Sequence, residues 1–190
     1  MNKIEVFKEE LKLIKNENIR KYTEIMIEKL PDYFFTVAAA VKAEHHPDYA
    51  HGDGGLLRHT RANVRLASEL IRVEMFKYSS DEKDLILTAL ILHDGFKRGV
   101  DGKKNAEEHP NLMADFILKE ESELISKEYK ELLASMVRSH MGQWNISYNT
   151  REQIMPKPAS KLQNFVHMID YIISRRCIIM DFDKELSSDD

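Results

Sequence analysis

The stretch Leu85–Lys97, LILTALILHDGFK, decides the fold. Seven of its first eight residues are apolar, and no face of a helix built from them is left polar. Such a run suits a helix buried on most sides. Ser80-Asp81 just before it supplies a helix-start signal. The run ends in His93-Asp94. An imidazole and a carboxylate are costly to bury there unless each has a strong partner. A metal ion is one such partner, and backbone groups at a capped helix end are another. Adjacent helical positions diverge by about 100°. The two side chains therefore meet at one ion only if it lies between them, just beyond the helix end.

Outward from this run, helical periodicity dominates and strand-like alternation is scarce. Ile4, Phe7, Leu11, Ile14, Ile19, Tyr22 and Met26 form an amphipathic stripe over about Ile4 to Leu30, stopped by Pro31. A second helix is expected from Asp32 to Lys42, before Pro47 and the glycines of AHGDGG break the pattern. A third is expected from about Leu56 to Tyr78. Beyond the glycines at 95, 99 and 102, helices are expected over Ala106–Lys119, Lys127–His140 and Ala159–Asp183. The segment MGQWNISYNTREQIMPKPAS between the last two has no periodicity and reads as an active-site loop or lid. The tail at 184–190 reads as frayed. The expectation is an all-α single domain, a bundle of about six to eight helices. Residues 1–50 carry N-terminal helices and 51–176 the motif-bearing core.

Composition limits the function. The chain has 190 residues, 28 Lys plus Arg against 32 Asp plus Glu, eight His and one Cys. A formal net charge of −4 argues against a protein that coats polynucleotides, so no stable polynucleotide complex is expected. One cysteine excludes an internal disulfide framework and a thiolate zinc cage, and fits a reducing compartment. The charged start MNKIEVFKEELK has no apolar signal core, and no stretch approaches a membrane span. A cytoplasmic location with no membrane partner is expected.

Four residues add weight to the metal reading of His93-Asp94. His59 lies near the start of the third helix, His109 in the first turn after the glycine-rich loop, and His140 closes a helix. Asp170 shares the inward spacing of Val166 and Ile173 on the last helix. Each has a plainer reading as a cap or a hydrogen-bonded core residue. All six sit at helix ends or inward faces of different helices, the way helical bundles assemble metal sites. Imidazole and carboxylate without thiolate suit Fe, Mn, Co, Ni or Zn better than Ca.

This ordered set resembles the HD phosphohydrolase superfamily, whose pattern is H…HD…H…H…D on five or more helices. His59, His93-Asp94 and Asp170 match its basic ligand set, and His109 and His140 match the extra histidines of two-metal members. Lys97 matches the lysine three residues after the doublet. His51, Gly54, Gly55, Leu56 and His59 form an HxxGGLxxH pattern, similar to the HD domains of certain 3′-to-5′ exoribonucleases and related phage and bacterial proteins. The resemblance covers about His51 to Arg176. It departs at Gly95-Phe96, where an apolar-Gly order is usual. No GYP-type motif follows the last histidine, the acidic pair of alarmone hydrolases is not seen after the doublet, and no OB-type domain is expected before the helices.

The resemblance implies one or two divalent ions, drawn from Fe, Mn, Ni, Co, Zn or Mg. Asp94 would bridge them, with His59, His93 and Asp170 on one and His109 and His140 on the other. It implies a metal-activated water attacking phosphorus in a small phosphorylated substrate such as a nucleotide, with Asp94 and Lys97 as catalytic residues. Lys97, Arg98 and Arg175 are candidates for phosphate contact, each with a plainer reading as a solvated cation. Gln143 and Trp144 follow His140 and are candidates for a substrate wall, an aromatic there being able to stack on a base. A sole Trp that pins its loop to the core is the competing reading. His51 is a further candidate contact, His45 and His46 read as loop residues, and His167 as a core or supporting histidine. The alternatives are a nuclease-like phosphodiesterase on short oligonucleotides, a metal- and nucleotide-binding sensor without turnover, and a purely structural helical module.

Overall fold

The structure, a computed structural model, describes residues 2–40 and 46–182. Among them are eight α-helices and no strand; the nearest approach to a sheet is one antiparallel bridge between Ile146 and Gln153. The helices are α1 (Lys3–Val6), α2 (Lys8–Lys12), α3 (Glu17–Glu28), α4 (Gly55–Leu70), α5 (Ser80–Leu92), α6 (His109–Lys119), α7 (Lys127–Ser139) and α8 (Lys161–Ile173). The all-α expectation is borne out. None of these helices is long and apolar enough to cross a membrane.

Helix α5 is the axis of the bundle. Leu85 to Leu92 are all buried, and α3, α4, α7 and α8 pack around them. The helix starts on a capping box: the Glu82 N–H donates to Ser79 Oγ at 3.2 Å, and the Ser79 N–H donates to the Glu82 carboxylate at 2.8 Å. Ser160 and Gln163 repeat the device at the start of α8. Helix α6 lies on α7 at the edge of the bundle. Because α5 is surrounded by its neighbours, the doublet at its C-terminal end faces the ends of those neighbours rather than solvent.

Helix lengths differ from expectation in four places, each for a local reason. The stripe from Ile4 to Leu30 is buried as expected, but it is broken into three helices. Asn16 caps α3 with its side chain, and the buried Asp84 carboxylate accepts the N–H groups of Lys15 and Asn16 at 3.1 and 2.7 Å. Those amides are thereby lost to a continuous helix. Asp32 starts only a single 3-10 turn, Asp32–Phe35. The following backbone pairs elsewhere: Thr36 and Val37 carbonyls accept the Gly54 and Leu56 N–H groups, both at 2.9 Å. Lys42, the expected end of that helix, and the loop residue His45 lie outside the described residues.

The third helix stops at Leu70 rather than Tyr78. Phe76 and Tyr78 stack on each other and meet Phe165 edge-on, which takes them off the helix path. The last helix spans Lys161–Ile173 instead of Ala159–Asp183. Phe182 then returns to the surface of α4, with Arg61 and Arg65 over its ring. The expected end at Asp183 and the tail at 184–190 lie outside the described residues.

Candidate metal centre

Five helix positions bring the six His and Asp residues together. His59 lies in the second turn of α4, His93 caps α5 with Asp94 next to it, His109 opens α6, His140 caps α7, and Asp170 lies near the end of α8. Their ligand atoms fall into three overlapping groups that could hold a metal ion: His59, His93 and Asp94; His93, His140 and Asp170; and Asp94, His109 and His140. Within each group the atoms lie within 4.8 Å of one another. The two carboxylates join the set. Asp94 Oδ1 lies 2.8 Å from His109 Nε2 and 3.5 Å from His140 Nε2, and Asp94 Oδ2 lies 3.5 Å from His93 Nε2. Asp170 Oδ1 lies 2.9 Å from His59 Nε2 and 3.6 Å from His93 Nε2.

Three of the histidines are aimed by the same local device. His93 Nδ1–H donates to the Leu90 carbonyl at 2.8 Å, His109 Nδ1–H to Ala106 at 2.9 Å, and His140 Nδ1–H to Val137 at 2.7 Å. A carbonyl only accepts, so each Nδ1 holds a proton and Nε2 is turned inward, where it offers a lone pair once the ring is neutral. These three Nε2 atoms are buried without a hydrogen-bond partner. His109 Nε2 meets Asp94 off the hydrogen-bond axis despite the 2.8 Å separation. Inward lone pairs against two carboxylates repel where they are buried, and a cation resolves that conflict. The donor set and its orientation therefore fit a divalent metal with nitrogen and oxygen ligands.

Charges follow the same geometry. Burial alone would raise Asp94, but the charges of Lys97 and His93 hold its carboxyl well below the usual range. Lys97 donates to both Asp94 oxygens, at 3.1 and 2.9 Å. Burial also opposes ionisation of Asp170, and the contacts with His59 and His93 overcome it. Burial lowers His93, yet Asp94 and Asp170 together outweigh it and leave the ring raised. His109 follows burial instead and is pushed down to about 4, with the Lys97 charge adding to the effect.

A cavity of about 560 Å³ opens onto this cluster, lined by His59, Asp94, Lys97 and Asp170. That volume falls in the range of small-molecule sites. Trp144 and Arg175, both candidate substrate contacts from the sequence, also line it. The other three candidates are placed elsewhere. Arg98 lines a separate, open depression with Phe35 and Asp53, and donates to the Lys103 carbonyl at 3.4 Å. Gln143 is exposed in the turn Gly142–Trp144. His51 shares a hydrogen bond of 3.0 Å with the His46 carbonyl.

Several wall residues carry no sequence signal. His46, read as a loop residue, lines the cavity beside His59, with ring centroids 6.2 Å apart, and burial pushes it down to about 4. Met141, Tyr148, Ser174 and Arg176 also line the cavity. They come from irregular segments, where no period marks an inward face. His167 supports the centre from behind: its Nδ1–H donates to the His140 carbonyl at 2.7 Å. A Cβ at Gly142 would fall on the His167 ring, and Gly142 adopts φ +58, so only glycine lets the chain leave α7 this way.

A helical bundle with clustered His and Asp at its helix ends defines the class of metal-site α-helical domains. A family model of the HD domain matches residues 56–183, about two-thirds of the chain, and the protein belongs to the HD domain family. Members of that family are generally metal-dependent hydrolases of the phosphohydrolase superfamily. Comparisons with curated proteins and with solved structures give no match.

Proposed function

We propose that the protein is a metal-dependent phosphohydrolase that cleaves a phosphoester bond of a nucleotide or another small phosphorylated compound. The observation that carries this reading is the convergence of three unpartnered Nε2 atoms on two carboxylates that line a cavity shared with Lys97. His59, His93, Asp94 and Asp170 would hold one ion, and His109 and His140, with Asp94, a second. When bound, the metal supplies Lewis-acid polarisation of the phosphoryl group and an acidified water as nucleophile.

The chain's own residues do the rest. The carbonyls of Leu90, Ala106 and Val137 fix three imidazoles in one tautomer, so that each presents a lone pair without rearrangement. Lys97, a compact ammonium in the cavity wall, sets a positive charge where phosphoryl oxygens would develop negative charge. Trp144, half exposed, offers an apolar wall to the rest of the substrate.

The test is a panel of phosphomonoesters, phosphodiesters and short oligonucleotides, assayed with protein loaded separately with Mn, Fe, Co, Ni, Zn and Mg. Hydrolysis that falls at least about a hundredfold in His93→Ala and Asp94→Ala supports the reading. Rates unchanged in both variants refute it. Processive shortening of oligonucleotides with inert mononucleotides would transfer the site to the nuclease alternative. Tight nucleotide binding without product under every metal would make it a sensor.

A further inference from the structure

One cation in the cavity is rigid and unspent. Arg175 follows α8 and lines the cavity wall. Its guanidinium carbon lies 4.3 Å from the Tyr171 ring centroid and 5.8 Å from that of Trp144. Those rings stack on each other at 5.7 Å and 14°. Its Nε–H donates to the Tyr171 carbonyl at 3.0 Å. Two aromatic faces and one backbone acceptor thus fix the plane of the group. Neither terminal nitrogen has a hydrogen-bond or carboxylate partner among the described residues.

The other arginines near the bundle are engaged. Arg58 donates to three carbonyls, Arg61 and Arg65 share the buried Glu10, and Arg138 pairs with Asp115. Lys97 is also engaged, by Asp94. Arg175 is therefore the held cation of the cavity with no anion of its own, and Arg176 beside it adds a second positive charge to the same wall. A fixed planar fork with free N–H groups matches the two oxygens of a phosphate, and its ordering cost has already been met by stacking.

Charge arithmetic points the same way. Lys97, Arg175 and Arg176 bring three positive charges to the wall, against Asp94 and Asp170 with two negative. Asp94 and Asp170 are turned to the histidine cluster, which leaves the two arginines uncompensated.

We propose that the substrate of this site carries two phosphate groups, one placed against the His and Asp cluster beside Lys97 and the other gripped by Arg175 with help from Arg176. The reading rests on the phosphohydrolase assignment for which phosphate reacts, but the second subsite is a property of the arginine pair alone. A bisphosphorylated small molecule is preferred over a monophosphate because the wall carries two sets of cations, Lys97 held by Asp94 and the Arg175 and Arg176 pair with no carboxylate partner among the described residues. The base or sugar between the phosphates would lie along the Trp144 and Tyr148 walls.

The test uses the only tryptophan in the chain as its reporter, since Trp144 stacks in the same cluster as Arg175. The full-length protein, metal-loaded and separately metal-stripped, is titrated with adenosine 5′-monophosphate and with adenosine 3′,5′-bisphosphate. Binding is followed by Trp144 fluorescence and by calorimetry. The expected result is bisphosphate affinity at least about tenfold above that for the monophosphate. Arg175→Ala should remove that preference by lowering bisphosphate affinity more than monophosphate affinity, and Arg175→Lys should restore part of it.

Equal affinities in the wild type overturn the proposal, as does an Arg175→Ala loss shared equally by both ligands or binding of neither. The wild-type comparison decides even if Arg175→Ala folds poorly. Bisphosphate preference without any product under any metal would sink the hydrolase assignment and leave the subsite standing. Monophosphate turnover with no bisphosphate preference would do the reverse.

Discussion

Ser147 donates its hydroxyl to Glu107 at 2.7 Å, and the adjacent Tyr148 N–H donates to the other carboxylate oxygen at 3.1 Å. One side chain from the turn before α6 thus holds the loop that carries Tyr148 to the cavity wall. Two residues further on, His109 opens α6, so wall and metal centre share one short segment.

Glu107→Ala should release that loop. Charge-assisted hydrogen bonds of this kind contribute about 1.5–3 kcal/mol each. The expected outcome is faster tryptic cleavage after the exposed Arg151 and a KM raised several-fold, with kcat on a minimal phosphoester little changed. Glu107→Gln keeps an acceptor for the Tyr148 N–H and should fall between the two. Limited proteolysis by mass spectrometry and steady-state kinetics read the two effects, and identical cleavage rates in all three proteins would refute the latch.

Metal content should track the inward Nε2 atoms. His93→Ala and His140→Ala each remove one, and elemental analysis should show at least about one equivalent lost relative to wild type. Wild-type protein should also melt higher with metal than after chelation, because an ion that binds only the folded state stabilises it by mass action. No change in melting temperature on chelation would count against the metal centre.

The pH dependence of the metal-free protein follows from His109. Its folded value of about 4 lies below the ordinary value of 6.5, so the unfolded chain binds the proton more tightly. Stability contributed by this group is full above 6.5 and lost as pH falls toward 4, by about 3 kcal/mol in all. His93, raised in the folded state, acts in the opposite sense: its contribution is present at low pH and fades as pH rises through its folded value. Urea unfolding of wild type and His109→Gln from pH 8 to 4 separates them. The difference between the two proteins should shrink with falling pH and level off below about 4.

Gly142→Ala tests the support behind His140. The added methyl must displace the His167 ring, and it also forces alanine into a left-handed conformation. A destabilisation of at least about 1–3 kcal/mol is expected, together with weaker metal retention, because His167 grips the His140 carbonyl. Thermal melts and metal analysis of the same sample check both, and unchanged values would show that the turn relaxes without cost.

Helix existence was legible in the sequence because it follows from periodicity, and the six clustered residues because their order resembles the HD pattern. A residue at a helix end on an apolar face has few places to go, and Leu85–Leu92 leaves the doublet only the bundle's interior end. Helix breaks were less legible. The division at Lys15–Asn16 depends on Asp84, about 70 positions away, whose buried carboxylate takes two amides from the helix path. The cavity walls were the least legible. His46, Tyr148 and Arg176 reach the site from irregular backbone, and their positions rest on tertiary contacts such as Glu107 with Ser147.

The three imidazoles anchored to carbonyls three residues before them have a consequence for change over time. Their orientation is held by main-chain oxygens at 90, 106 and 137, which no point substitution can delete. The His and Asp cluster is thereby insulated from drift in the side chains around it. Tyr148 and Arg176 have no such insulation, since the segments that carry them are irregular and open to exchange. Variation, natural or engineered, should therefore redirect which molecule this scaffold accepts long before it alters what the scaffold does to it.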